Sequence, residues 1–362
     1  MGETLEKIRT FIFHPVARTI GQLFLAALII WGAIIVAGGL FYWVGWNEVI
    51  RGIAGLLAFP LIFSLWFWPG PNRWRRRMYV AGIFLVFFSA YFTKSPPEQN
   101  WVDLHEQRAY AEFDGDLVTI HNFRDAAFRE ETVADVVWTE KTFDLSQLQT
   151  AQFIEQPFGD NPIQVHIFIT FGFSNGEHLA VSVEARRTNW QTFQPIGGFF
   201  RHFETFPVFG TERDVIGKRL AADPPLTMYF HDVQADPETL QIWLRNLLEF
   251  STELHEEPHF YNTLSESCFT GLTRQSPAIR QSIPFWDVRR WIPGYILPLM
   301  RDHGIVDDSL PLEEMRAQNK LPGDLRDPRS FETDQAFSAY LREQMAEARP
   351  EDPSPNPDRS EM

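Results

Sequence analysis

Cysteine is almost missing from this chain: Cys268 is the only one in 362 residues, so no disulfide can close within it. Basic residues are scarce in the larger part. From residue 95 onward 23 Lys and Arg face 44 Asp and Glu, and so acidic a surface excludes a nucleic-acid partner, which needs clustered Lys and Arg. Charge of either sign is absent from residues 20–46. That run exceeds the ~20 apolar residues needed to cross hydrocarbon, and it is too long for the core of a cleaved signal peptide. Apolar residues are in turn nearly absent from residues 345–362, which predicts a disordered tail.

Residues 52–68 and 78–92 are shorter uncharged runs with aromatic ends suited to the headgroup layers, and with 20–46 they predict three transmembrane helices in an anchor spanning 1–94. Lys7, Arg9 and Arg18 precede the first run, and Arg73, Arg75, Arg76 and Arg77 lie between the second and third. By the positive-inside rule both segments face the cytoplasm. The expectation is a bacterial inner-membrane protein with a cytoplasmic N-terminus and everything after Lys94 in the periplasm. An oxidising compartment makes an unpaired cysteine conspicuous: either a reactive thiol or a small buried apolar residue.

Residues 95–344 suffice for one soluble domain with a sizeable core. After a proline-containing linker, structure begins at Trp101. Residues 116–124 read as a strand. Residues 164–173 read as a stronger one, with Val165, Ile167 and Ile169 on one face and His166, Phe168 and Thr170 on the other. The turn Ser174-Asn-Gly-Glu returns the chain through residues 179–186 as a hairpin. Asp236-Pro237-Glu238 is a helix start, and Leu240, Leu244, Leu247 and Leu248 come after it at helical spacing. A second helix begins at Ser265 or Ser267. The fold class is therefore α+β.

Cys268 falls in the first turn of that second helix, where unpaired amides and the helix dipole favour a thiolate. A cysteine nucleophile needs a base, and the base needs an orienting partner. His166 is the candidate base. Glu184, on the returning arm of its hairpin, is the candidate orienter, although an acid beside Arg186 and Arg187 is as readily a solvated ion pair. His178 would complete a zinc set with His166 and Glu184, but no short-spaced ligand motif supports it, and neither metal nor cofactor is expected. His121, Asn122 and Arg124 would line a cleft or simply end a strand. Asn122, Arg124 and Arg186 are the candidate substrate-binding residues.

Asn122-Phe-Arg, Trp138-Thr-Glu-Lys-Thr-Phe-Asp-Leu, the block from His166 to Arg187, Glu212-Arg-Asp-Val-Ile and Tyr261-Asn-Thr-Leu-Ser-Glu-Ser-Cys-Phe-Thr together resemble the Lnb N-terminal periplasmic domain family. Its namesake is the lipoprotein intramolecular transacylase. Members of that family carry Asn-Cys-Thr-Thr where this chain has Ser267-Cys-Phe-Thr. The resemblance implies a circularly permuted papain-like (NlpC-type) domain, with histidine before cysteine in the chain. It also implies cysteine-dependent acyl transfer or hydrolysis on a membrane lipid or lipoprotein through a thioester, with Cys268 and His166 matching the motif residues. Two other readings use the same residues: a peptidoglycan amidase or peptidase, and an envelope scaffold without catalysis.

Overall fold

The computed structural model describes residues 2–43, 47–159, 164–284 and 286–348. Two compact units emerge, one built from residues 1–96 together with 194–202, the other from 97–193 and 203–362.

The first unit is helical: α1 (Gly2–Trp43), α2 (Glu48–Phe67) and α3 (Arg73–Thr93), joined by the one-turn α4 (Pro195–Gly198) from far along the sequence. Val16–Trp43 and Glu48–Phe67 are long and apolar enough to cross a membrane. The third helix differs from expectation. Its uncharged part, residues 78–93, is shorter than the ~20 residues typical of a span, because Arg73, Arg75, Arg76 and Arg77 occupy the first turns. Ala33, Val36, Ile62 and Val80 form the buried centre of the three helices, ringed by Phe59, Trp66, Phe84 and Phe87. A Cβ on Gly39 would stand 2.4 Å from the Phe87 ring, so the missing side chain is what admits that ring and lets Trp43 stack on it at 4.9 Å. Residues 194–202 belong to this unit through specific bonds. Trp43 donates its indole N–H to the Phe200 carbonyl, Tyr91 donates to the Phe199 carbonyl at 3.0 Å, and Arg201 donates to the Lys94 carbonyl at 3.1 Å.

In the second unit the strands are β1 (Tyr110–Asp114), β2 (Leu117–Glu130), β3 (Val133–Asp144), β4 (Leu148–Pro157), β5 (Val165–Phe173), β6 (His178–Arg186), β7 (Glu204–Gly210) and β8 (Tyr229–Asp232). They form one sheet in the order β1-β2-β7-β6-β5-β4-β8, with β3 on the other edge of β2. All pairings are antiparallel except β2 with β7. The predicted hairpin is β5–β6, and Gly176 takes φ +82° in its turn, a conformation open to glycine.

Helices cover both faces of the sheet: α5 (Glu212–Leu220), α6 (Pro237–Glu256), α7 (Cys268–Thr273), α8 (Pro277–Ser282), α9 (Ile296–Asp302), α10 (Leu312–Gln318) and α11 (Asp334–Ala348). As the alternation requires, Val165, Ile167 and Ile169 enter the larger core with Leu240, Leu244, Leu247 and Leu248 of α6, and Phe168 enters a smaller one beneath α5 and α11. Burial of each such leucine stabilises the fold by roughly 1.5–3 kcal/mol. The second core is pinned by buried ions. Glu212 accepts two bonds from Arg342 at 2.6 Å and one from Thr170, while Asp214 accepts a bidentate Arg124 at 2.7 and 2.8 Å. Helix α11 runs through Ala348, four residues into the segment expected to be disordered; the rest of that tail lies outside the described residues.

Candidate active site

Ser267 caps α7: its hydroxyl accepts from the Thr270 amide, and the Thr270 hydroxyl accepts from the Ser267 amide at 2.8 Å. This reciprocal capping box fixes the direction in which the chain enters the helix, and so the position of its first residue, Cys268. Phe269 and Leu272 seat α7 in the larger core across β5 and β6. Cys268 is buried, as the bland reading holds, yet it lies near enough to His166 to favour the protonated imidazole.

His166 is the second residue of β5, and its partners come from β6 across the hairpin. Nε2 donates to Ser182 Oγ at 2.9 Å and lies 3.3 Å from Glu184 Oε1, while the Ser182 hydroxyl donates to the same carboxylate at 2.8 Å. Ser182 and Glu184 share a face because they are two apart on a strand. Glu184 takes a second cation, Arg219 of α5, at 3.7 Å, whereas Arg186 turns away to Glu204. Burial disfavours the charged imidazole, but the Glu184 carboxylate and then the bond to Cys268 outweigh it and raise the His166 pKa to about 9. Burial likewise opposes ionisation of Glu184, and the imidazolium overcomes it, holding that carboxyl well below its ordinary range.

Tyr261 closes the group. Burial first, and then the nearby Cys268 and Glu184, push its pKa well above that of a free phenol. Phe193, partly exposed, packs edge-on against Tyr261 at 6.3 Å, and exposed Trp190 precedes it in the chain.

Residues 134–300 match the Lnb N-terminal periplasmic domain family. Comparison with curated proteins and with solved structures gives no match. The Lnb match runs from β3 into α9 and takes in Cys268, His166, Glu184, Ser182 and Tyr261. Asn122-Phe-Arg, counted in the resemblance, falls before it. The apolar N-terminal helices and the Lnb match together fit a membrane-anchored protein with a periplasmic domain.

Three of the residues expected around the site have other engagements. Asn122 sits at a bulge in β2 with φ 54°, a backbone region asparagine tolerates, and donates to the Arg108 carbonyl. Arg124 is held by Asp214 and the Leu104 carbonyl, and Arg186 by Glu204 and the His105 and Glu106 carbonyls. His121 stacks on Tyr110 and pairs with Glu140. His178 begins β6, at the opposite end from Glu184, and among the described residues no three His, Cys, Asp or Glu side chains gather as a metal set. Ser182, Arg219 and Tyr261 were not foreseen. Ser182 had a signal, since a hydroxyl two residues before Glu184 must share its face; Arg219 and Tyr261 arrive by tertiary contact alone.

Proposed function

We propose that this protein is a membrane-anchored cysteine acyltransferase or hydrolase of permuted papain-like type, acting on the acyl groups of a lipid or lipoprotein at the periplasmic face. The observation that carries this reading is the chain of contacts Cys268, His166, Ser182, Glu184. In the first step Cys268 Sγ attacks an ester carbonyl, its proton already resting on His166, whose imidazolium Glu184 stabilises. The Cys268 amide, in the unpaired first turn of α7, and the Tyr261 hydroxyl are the donors proposed for the oxyanion that forms. The imidazolium, kept charged by Glu184, then protonates the departing alcohol and leaves a thioester on Cys268. An amine or water attacks that thioester, gives its proton to His166, and restores the thiol. Asn122, Arg124 and Arg186 act in this scheme as framework, since their donors are already engaged.

The course of the chain beyond β6 favours a lipid substrate over a cell-wall peptide. It passes exposed Trp190 and Phe193 and then joins the apolar helical unit at residues 194–202. In this reading α3 is a third, short span, the arginines at its start lie in the cytoplasm, and the Lnb-like domain is held beside its substrate at high effective concentration.

Intact-mass analysis of the full-length protein purified from membranes tests the proposal. An acyl adduct removed by hydroxylamine is expected on the wild type, and none on Cys268→Ala. Full activity in Cys268→Ala would end the proposal.

A further inference from the structure

From the last turn of α5, Arg219 reaches three neighbouring strands of the sheet. Its side chain is 5% exposed, and each of its nitrogens is engaged separately. Nε donates to Gln156 Oε1 at 3.0 Å, Nη1 donates to the Val215 carbonyl one turn back, and Nη2 lies 3.7 Å from Glu184 Oε1. The guanidinium carbon stands 4.4 Å from the centre of the Phe168 ring, which itself stacks on the His166 ring at 6.0 Å. Gln156 is directly opposite His166 in the β4–β5 register. Arg219 is thus held to β4 by Gln156, to β5 by Phe168 and to β6 by Glu184, and each of the three adjoins His166.

The longer distance to Glu184 has a chemical meaning. Arg124 grips Asp214 through two bonds at 2.7 and 2.8 Å and so occupies both its oxygens. At 3.7 Å Arg219 offers Glu184 a charge and leaves Oε1 to the Ser182 hydroxyl and to His166. Among the described residues, His166 and Arg219 are the two cations ion-paired with this carboxylate. At longer range Lys218 also favours the Glu184 charge, while Arg124, Asp214 and Glu131 act on Arg219 less than Glu184 does. Cys268, Tyr261 and His105 are the other titratable groups that sense the pair. A buried carboxylate keeps its charge only while a cation faces it. Of the two that do, the imidazolium is temporary, because it gives its proton to the departing alcohol. Burial lowers Lys218 to about 8, so the lysine charge fades in the alkaline range, whereas a guanidinium keeps its proton throughout.

We propose that Arg219 is a positioning residue for the acyl-transfer chemistry, the fixed counter-charge that keeps Glu184 ionised once His166 has given up its proton. This rests on the acyl-transfer reading and divides the labour within its site. The thiol proton resides on His166 and passes to the alcohol oxygen as the ester C–O bond breaks and the thioester forms, and it does not come to rest on Glu184. By sharing the carboxylate, Arg219 also loosens the hold of Glu184 on the imidazolium. The imidazole then releases its proton more readily than it would beside an unshared glutamate.

The test uses full-length protein in detergent, with isotope-labelled histidine followed by NMR. The His166 resonance, identified by its absence from His166→Ala, is titrated with pH. Arg219→Met should move that titration upward by about one unit or more, since removing a cation raises the proton affinity of the groups it faced. Arg219→Gln, which can still donate to Gln156, should move it in the same direction. Arg219→Lys, which keeps the charge and gives up the guanidinium bonds, should leave it near the wild-type value. In a second readout, the alkaline limb of the pH profile for hydroxylamine-labile adduct formation from dioleoyl phosphatidylglycerol should shift in the same order. An unchanged His166 titration in Arg219→Met and Arg219→Gln would overturn the proposal, and an adduct on the wild type would leave acyl transfer standing. A titration moved as far by Arg219→Lys as by Arg219→Met would also overturn it, because the bonds and not the charge would then be responsible. A raised titration with no wild-type adduct from any lipid offered would uphold the hold of Arg219 on the pair and end the acyl-transfer reading.

Discussion

At the scale of single residues, the His166–Glu184 pair ties stability to pH in a definite direction. His166 has a folded pKa of about 9 against 6.5 for a free imidazole, so its stabilisation is fully present below 6.5 and is lost as pH rises through about 9. Glu184 is depressed below the 4.5 of a free glutamate, so its share is present above 4.5 and is lost as pH falls through the folded value. The pair therefore contributes fully between about 4.5 and 6.5. Thermal unfolding of wild type and Glu184→Gln across pH 5 to 10 should give the largest gap near pH 5–6.5, closing as pH passes 9. A gap that widened above pH 8 would contradict the ion pair. In the same proposal Cys268→Ser and His166→Ala each abolish turnover, and the double substitution adds almost nothing, because groups that act as a unit fail with the first removal. Measured kcat/KM for the three variants checks this, and Glu184→Gln should be milder.

At the scale of elements, the short helix α7 holds the nucleophile through its cap. Asparagine and serine are near-equivalent N-caps, so the Ser267 found here keeps the capping function that the family's asparagine would serve. Ser267→Asn should therefore leave stability within a few tenths of a kcal/mol, and Ser267→Ala should cost about 1 kcal/mol, read from denaturant unfolding. If Ser267→Asn instead lost as much as Ser267→Ala, the capping account of this position would fail. The hairpin β5–β6 is the other working element. It presents His166, Ser182 and Glu184 together, and its depth in the sheet, with β4 and β7 on either side, fixes those side chains more firmly than a loop would.

At the scale of the whole molecule, the arrangement proposed requires an odd number of crossings between a cytoplasmic N-terminus and a periplasmic domain. Alkaline phosphatase fused after Lys94 should be active and a cytoplasmic reporter at the same point inactive. Fusions after Pro69, between α2 and α3, should show the reverse. If alkaline phosphatase is inactive after Lys94, α3 does not span and the domain lies with the N-terminus.

The sequence by itself determined the division into an apolar N-terminal part and an acidic α+β domain, the β5–β6 hairpin and the start of α6, and it narrowed the cap of α7 to Ser265 or Ser267, of which the structure uses Ser267. Each is written in local chemistry: charge-free runs, alternation with period two, a glycine at a turn, Asp-Pro-Glu and Ser at helix starts. Cys268 and His166 could be named because their residue types and the family resemblance marked them. Their meeting could not be read, since a separation of about a hundred residues has no local meaning. Only the tertiary structure decided that Glu184 faces His166 through Ser182 while Arg186 turns to Glu204, a choice between neighbours of equal propensity that packing made. The structure likewise drew residues 194–202 into the helical unit and buried Arg124 against Asp214. Long-range ion pairs and backbone bonds have no periodicity, so no pattern in the chain announces them; they exist once the sheet has closed and brought distant charges within reach.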